Sequence, residues 1–322
     1  MKKLILTLTI LLVISFSVFA QGDAEEAAFP TKPITITIPV SAGGGTDLLV
    51  RAMSAPLKEI LGQTVNVVNK PGAGGAIGFA AGAAEKPDGY NVTAMLAELI
   101  TVTQVADVNF SYESFIPVAN VNSECATLTV RADAPYDTLE EFVEYAKAHP
   151  GEISIGNSGI GGIWHFIAAA IASSTGVEVT HVPFEGGGTA VTALAGGHVD
   201  AVPVTPQEVE VQVKAGRAKI LAVLAPERVA SFPDVPTAKE LGYEDLMFTI
   251  FRGFGVPLGT PDSVVQTLSD AFEEVLQDPA IIEFMAEKHF TKDFVPGPEF
   301  GEQMAREEKI YAEMAQQLGL SK

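Results

Sequence analysis

The sequence predicts an α/β protein of two lobes, and three observations predict it. Short β-branched runs alternate with stretches of helical spacing along most of the chain. The alternation restarts once, after Arg131. Almost every predicted strand runs into a loop rich in glycine, serine or threonine that opens a helix. Strand, helix and strand in close succession imply a mostly parallel central sheet flanked by helices in each lobe. The 322 residues are 47% apolar and 19% charged, enough for sizeable cores and too apolar for a disordered chain.

The elements follow in order. Residues 34–40 (ITITIPV) have strand character. The loop Ser41 to Gly45 leads to a helix over about 46–61 that contains Pro56 and stops at Gly62. Residues 65–68 form a second strand, and the run from Pro71 to Gly78 opens a helix reaching about residue 85. Pro87-Asp88-Gly89 is a turn before a strand at 90–95. After Arg131 come a helix at 139–148, a strand at 153–155, and the loop Asn157 to Gly162 with an apolar helix at 163–174. A strand at 177–182 leads through Phe184 to Gly188 into a helix at 189–195. A strand at 199–204 ends at Thr205-Pro206, which starts the next helix, with a further strand at 220–224. The segment around 240–252 returns to strand-like sequence. From Pro261 onward two or three longer helices are expected, the last at 298–318. The chain thus crosses between lobes near 125–132 and again near 240–252. The first lobe is expected to be discontinuous, residues 30–130 plus 248–322, with residues 131–247 inserted as the second.

Residues 1–20 read as an export signal. Lys2 and Lys3 precede an apolar stretch, and Val18-Phe19-Ala20 suits cleavage after Ala20. A retained membrane anchor is the competing reading, disfavoured by the short apolar run and the acidic flank after it. Export implies a periplasmic location in a cell with an outer membrane, a compartment without NAD or ATP pools. The formal charge of −20 argues against a nucleic-acid partner, which needs clustered positive charge. One cysteine, Cys125, allows neither an internal disulfide nor a cysteine-rich metal site.

Five loops share one plan: strand end, small or hydroxyl residues, helix start. They are Ser41–Asp47, Pro71–Gly78, Asn157–Gly162, Phe184–Thr189 and Val204–Pro206. Helix starts expose free N–H groups and carry partial positive charge, so several facing one cleft would bind an anion without lysine or arginine. The bland reading is tight βα turns of any α/β protein; five loops shared by two lobes favour a ligand cleft. The loops lack lysine and arginine apart from Lys70 beside Pro71, so recognition by amides and hydroxyls is expected. Nucleotide motifs fail. Gly43-Gly44-Gly45 has no third glycine in register, and Gly78 is followed by Phe79 where a phosphate loop needs lysine. Gly156-Asn157-Ser158-Gly159-Ile160 nearly forms a nucleophile elbow, which keeps a serine hydrolase using Ser158 as the rival reading. The spacing of His165, His181, His198 and Asp200 suits no metal, and neither metal nor cofactor is expected.

Asp47 is either a helix cap or an acceptor for a ligand donor. Glu98 follows a strand end on the cleft side. His165 either packs against its helix start or donates to a carboxylate. Trp164 and Phe184 line the cleft or belong to the core. Arg51 and Arg252 are clamps or internal ion-pair partners.

The loops also carry a resemblance. The phrases FPTKPITITIPVSAGGGTD, LGQTVNVVNKPGAGGAIG with PDGY, SGIGGIWH, THVPFEGGGTAVTALAGGHVDA, FPDVPTAKELGY and PLGTPDSVV run in order over about residues 29–320. Together they resemble the extracytoplasmic solute receptors of the tripartite tricarboxylate transporter family, also called Bordetella uptake gene receptors. The resemblance implies a two-lobed type II periplasmic-binding fold that closes on a small organic acid. It implies delivery to an integral-membrane permease with large and small subunits, and no catalysis. A monomer is expected. Carried over by position, the ligand-binding residues are Ser41, Ala42, Gly43, Gly44, Thr46, Asp47, Gly74, Gly75, Ala76 and Glu98 of the first lobe. Those of the second are Ser158, Gly159, Gly161, Gly162, His165, Phe184, Gly186, Gly187, Pro203 and Thr205. Where many relatives carry a small or polar run ending in histidine, this chain has Ala97-Glu98-Leu99.

Overall fold

A computed structural model describes residues 29–322; the predicted leader, residues 1–20, lies outside the described residues. Strand β1 (Ile34–Ile38) buries Ile34, Ile36 and Ile38. Helix α1 (Gly45–Leu61) buries Leu49, Val50, Met53 and Leu57 along one face and ends at Gly62, whose φ of 64° is left-handed. Strand β2 (Val65–Asn69), a short 3₁₀ turn (Ala73–Gly75), helix α2 (Ala76–Ala83), strand β3 (Asn91–Leu96) and helix α3 (Glu98–Val105) follow. Strand β4 (Phe115–Arg131) is the longest, at 17 residues.

After β4 the pattern repeats. Helix α4 (Leu139–Ala148) starts at Thr138, whose hydroxyl accepts from Glu141 N–H. Strand β5 (Ser154–Asn157) leads to α5 (Ile163–Thr175), β6 (Thr180–Pro183) to α6 (Gly187–Ala195), and β7 (Ala201–Val202) to α7 (Pro206–Lys214). Strands β8 (Ala218–Leu224) and β9 (Thr249–Pro257), helices α8 (Asp262–Val275) and α9 (Pro279–Glu287), strand β10 (Lys292–Pro296) and helix α10 (Gly297–Gln317) complete the chain. Among the described residues no helix is long and apolar enough to cross a membrane.

The strands order as β2-β1-β3-β9-β4-β7-β5-β6, with β8 and β10 also paired to β4. β1 lies between β2 and β3 in parallel, and β5 lies between β6 and β7 in parallel. The expectation of mostly parallel sheets is corrected by the rest. β9 runs antiparallel to β3 and β4, and β4 runs antiparallel to β7, β8 and β10. The reason is the chain path. β4 carries the chain out of the first strand set and β9 carries it back, so the two must run in opposite directions. The first half of β4 pairs with β9 and its second half with β7 and β8, the break falling between Cys125 and Ala126.

Sequence patterning missed α3, most of β4, and β10. β4 buries Asn120, Asn122, Thr127 and Thr129 among its apolar residues, so it shows no alternation of apolar and polar faces. Most of those polar groups are satisfied within the fold, the buried Asn120 Oδ1 being without a hydrogen-bond partner. Asn122 donates to Thr291 O at 2.6 Å and Glu124 Oε1 at 2.7 Å, and Thr127 donates to Val204 O at 2.8 Å. Aromatic pairs seal the helical tail onto the sheet: Phe254 stacks on Phe272 at 4.1 Å, and Phe251 meets Phe300 edge-on at 5.4 Å.

Candidate functional site

Every glycine-rich loop leaves the carboxyl end of a parallel strand. In both sets the chain leaves the middle strand, β1 or β5, for the neighbour on one side and returns to the other. This is a topological switch point, where successive loops part and leave a crevice. The two sets of loops meet face to face. A β-carbon at Gly188 would lie 3.2 Å from Gly44 N, and one at Gly74 would lie 3.0 Å from Ile160 O. Backbone touches backbone at both places, which only a residue without a side chain allows.

Between these contacts is a cavity lined by Ser41, Gly44, Gly45, Thr46, Glu98, Trp164, Gly186, Gly187, Glu208 and Arg252, with apolar walls from Leu96 and Phe251. The space open to water centres is about 30 Å³, room for about two waters. The starts of α1 and α6 both face it. Six residues expected from sequence therefore line it: Ser41, Gly44, Thr46, Glu98, Gly186 and Gly187.

Two of its three ionisable groups were ambiguous or absent in the sequence reading. Arg252, on β9, is only 4% exposed. The expected internal ion pair is not what holds it. Its Nη1 donates to Asn122 Oδ1 at 2.6 Å and its Nε to Thr46 Oγ1 at 3.2 Å, both neutral acceptors. Its Nη2 lies against Gly45, 2.8 Å from where a β-carbon would stand. Glu208, on α7, was not anticipated. Its Oε2 accepts from Thr205 N and Oγ1 at 3.4 and 3.2 Å, and its Oε1 reaches Gly45 N–H at 3.5 Å. The sequence signal was available: Thr205-Pro206-Gln207-Glu208 has the spacing of a capping box. Glu98, the first residue of α3, is 4% exposed. Burial, reinforced by the negative charge of Glu208, pushes its carboxyl up to about 7, against the pull of its own backbone amide and of Arg252.

Asp47 lies off the cavity lining. Gly43 N–H donates to its Oδ2 and Arg51 Nε to its Oδ1, each at 2.9 Å, and Arg51 also donates to Asn69. Burial raises the Asp47 carboxyl, but hydrogen bonds from Arg51, Gly43 and Asn69 outweigh it and hold the group below the usual carboxylate value. Asp47 braces the loop from within. Ala42 and Gly43 are exposed on the same loop.

Gly74 and Gly75 are buried where the Ala73–Gly75 turn meets the Ser158–Gly162 loop, with Ala76 opening α2 beside them. Ser158 Oγ accepts from Trp164 N–H at 3.4 Å, and Gly161 N–H donates to His165 Nδ1 at 3.3 Å. The imidazole crosses His181 edge-on at 4.9 Å. Burial, with His181 adding to it, lowers His165 to about 4, so the ring is neutral and an acceptor for its own loop. Ser158 and His165 thus both engage backbone amides, and no serine–histidine relay forms between them. Phe184 packs beneath Gly156, and Gly159 faces Gly74. Pro203 and Thr205 are buried at the end of β7, where Thr205 anchors Glu208. Among the described residues no three His, Cys, Asp or Glu side chains gather as a metal site.

This topology is the type II periplasmic-binding fold. The solved structure of periplasmic binding protein BugD superposes with a TM-score of 0.87 at 30% identity, over 91% of this chain and 99% of that one. MatC from Rhodopseudomonas palustris, solved with bound malate, gives a TM-score of 0.83 at 26% identity, over 89% and 99%. The family model for TctC, tripartite tricarboxylate transporter family receptor, matches residues 49–309, and the chain belongs to that family. A protein of Cupriavidus necator, the UPF0065 protein in gbd 5'region, is 32% identical over 304 residues, covering 94% of this chain and 92% of its own. The protein is a solute receptor of that family.

Proposed function

We propose that the protein captures a small organic acid in the cavity between two lobes and presents it to the integral-membrane permease of a tripartite secondary transporter. The observation that carries this reading is the buried, otherwise carboxylate-free guanidinium of Arg252 beside the start of α1, in a cavity to which both strand sets contribute. A ligand carboxylate there gains a full positive charge and the amides of Gly45 and Gly187, at helix starts. The Ser41 hydroxyl adds a further donor. Arginine thus joins the amides and hydroxyls expected from the loops alone. The malate found in MatC is an acid of the same class.

The lobes are residues 30–130 with 248–322, and residues 131–247. The division of β4 pairing at Cys125–Ala126 and the return of the chain through β9 support that split. The small cavity fits a closed form, so ligand entry requires the lobes to part about β4 and β9. The protein acts as a monomer in the periplasm after cleavage behind Ala20, which intact-mass measurement on protein from the native host tests.

Calorimetry on protein unfolded and refolded to remove any co-purifying solute, against a panel of mono-, di- and tricarboxylates, tests the proposal. At least one acid binds with micromolar or tighter affinity, and Arg252→Ala weakens it. A panel without a binder, with the fold verified by circular dichroism, would refute the carboxylate reading.

A further inference from the structure

Glu208 holds its two oxygens differently. Oε2 is engaged by both the amide and the hydroxyl of Thr205, while Oε1 has only the long 3.5 Å contact with Gly45 N–H. A carboxylate oxygen accepts two hydrogen bonds, so Oε1 keeps acceptor capacity. It keeps it inside the cavity: Oε1 lies 3.3 Å from the position of a β-carbon on Gly44 and 2.5 Å from one on Gly187. Arg252 is its counterpart as a donor. Nη2 lies on the Cα side of Gly45, and the guanidinium meets only neutral oxygens in its hydrogen bonds.

One glycine is therefore flanked by a spare acceptor and by a cation. A ligand that fits both carries a carboxylate for Arg252 and, on a neighbouring atom, a donor for Glu208. A second carboxylate would instead meet Glu208 and the buried Glu98, with Arg252 the only full positive charge on the lining. Glu98 already registers that crowding, since the charge of Glu208 adds to burial in holding its proton up to about 7.

Resting on the reading that this cavity takes a carboxylate, we infer that Glu208 makes the receptor selective for acids bearing an ammonium or hydroxyl group beside the carboxylate, and against unsubstituted di- and tricarboxylates. Such a donor replaces the weak Gly45 contact with a charge-assisted bond, whereas an acid without one leaves Oε1 unsatisfied in a closed site. Glu208 acts as a specificity-determining residue, and Thr205 fixes its direction.

The test uses the mature protein freed of ligand and a series with one carbon skeleton: succinate, malate and aspartate, with propionate, lactate and alanine as the monocarboxylate set. In the wild type the tightest hydroxyl or ammonium acid binds at least about tenfold better than its unsubstituted parent, or about 1.4 kcal/mol. Glu208→Gln narrows that ratio to within about threefold, mainly by weakening the substituted acid. Glu208→Asp, which keeps the charge and shortens its reach, gives an intermediate ratio and serves if the glutamine variant does not fold. Equal or tighter binding of succinate and propionate in the wild type overturns the inference, as does a ratio unchanged in both folded variants. Those outcomes leave the carboxylate reading standing. Failure of all six acids while an unsubstituted acid of the wider mono-, di- and tricarboxylate panel binds also overturns the inference and leaves the carboxylate reading standing, whereas failure of the whole panel sinks both together.

Discussion

Glu98 offers the sharpest test of the site's electrostatics. Replacing it by glutamine keeps the shape and removes the titration. In the folded protein the carboxyl sits at about 7, displaced from 4.5 by burial first and by Glu208 second. Each pH unit between the two values is worth about 1.4 kcal/mol. Ionising Glu98 in place therefore costs the fold on the order of 3 kcal/mol. The direction follows from proton binding. Below about pH 4.5 the group is protonated in folded and unfolded chains alike, and its contribution to stability is at its highest. As pH rises further, the unfolded chain releases the proton while the folded protein keeps it, so stability falls until about pH 7 and is level above. Urea unfolding of the wild type and Glu98→Gln from pH 4.5 to 8.5 isolates this effect, because the other carboxylates titrate in both. The stability difference, wild type minus variant, should drop by about 3 kcal/mol across the interval. A difference constant to within about 0.5 kcal/mol, the spread of independent substitutions, would refute the argument that Glu98 is buried beside a second acid.

Other perturbations follow from the same geometry. Gly188→Val places a branched side chain against the Gly43–Gly44 backbone, so calorimetry should show ligand affinity down by at least roughly tenfold, while the ligand-free melting point moves by only a few degrees. Arg252→Ala removes a charge-assisted bond of about 1.5–3 kcal/mol, and titration with the best-binding acid should show roughly a ten- to hundredfold loss; an unchanged affinity would mean that amides and hydroxyls suffice. Thr205→Ala deletes a partner of Glu208 and a residue at the start of α7, and urea unfolding should show a loss of about 1 kcal/mol. Small-angle scattering on ligand-stripped protein should show a smaller radius of gyration once the acid is added, and an unchanged radius with binding established separately counts against lobe closure.

Much of this protein is local, and local features are legible in sequence. The alternating isoleucines of β1 fix a strand, since residues two apart share a face. Gly62 closes α1 because it adopts a left-handed φ at little cost, and Thr138 opens α4 with its own hydroxyl. The loops after β1, β5 and β6 were readable for the same reason: glycine marks where backbone must come close, whatever it approaches. What the approach is to, only the tertiary structure decides. Gly44 meets Gly188 and Gly74 meets Ile160 because two strand sets point their carboxyl ends at each other. No local pattern encodes that. β4 escaped notice because its buried Asn120, Asn122 and Thr127 donate to groups far along the chain, Asp293 O, Thr291 O and Val204 O, so its polarity resembles that of a loop. The charges of the cavity are the clearest case. Thr46 and Arg252 are 206 residues apart in sequence, and Gly45 and Glu208 are 163 apart. Sequence alone determined that helix starts would offer amides to an anion. The fold determined that one arginine and two acids share the space with them, because burial and proximity, which set the charge of a site, exist only once the chain has closed on itself.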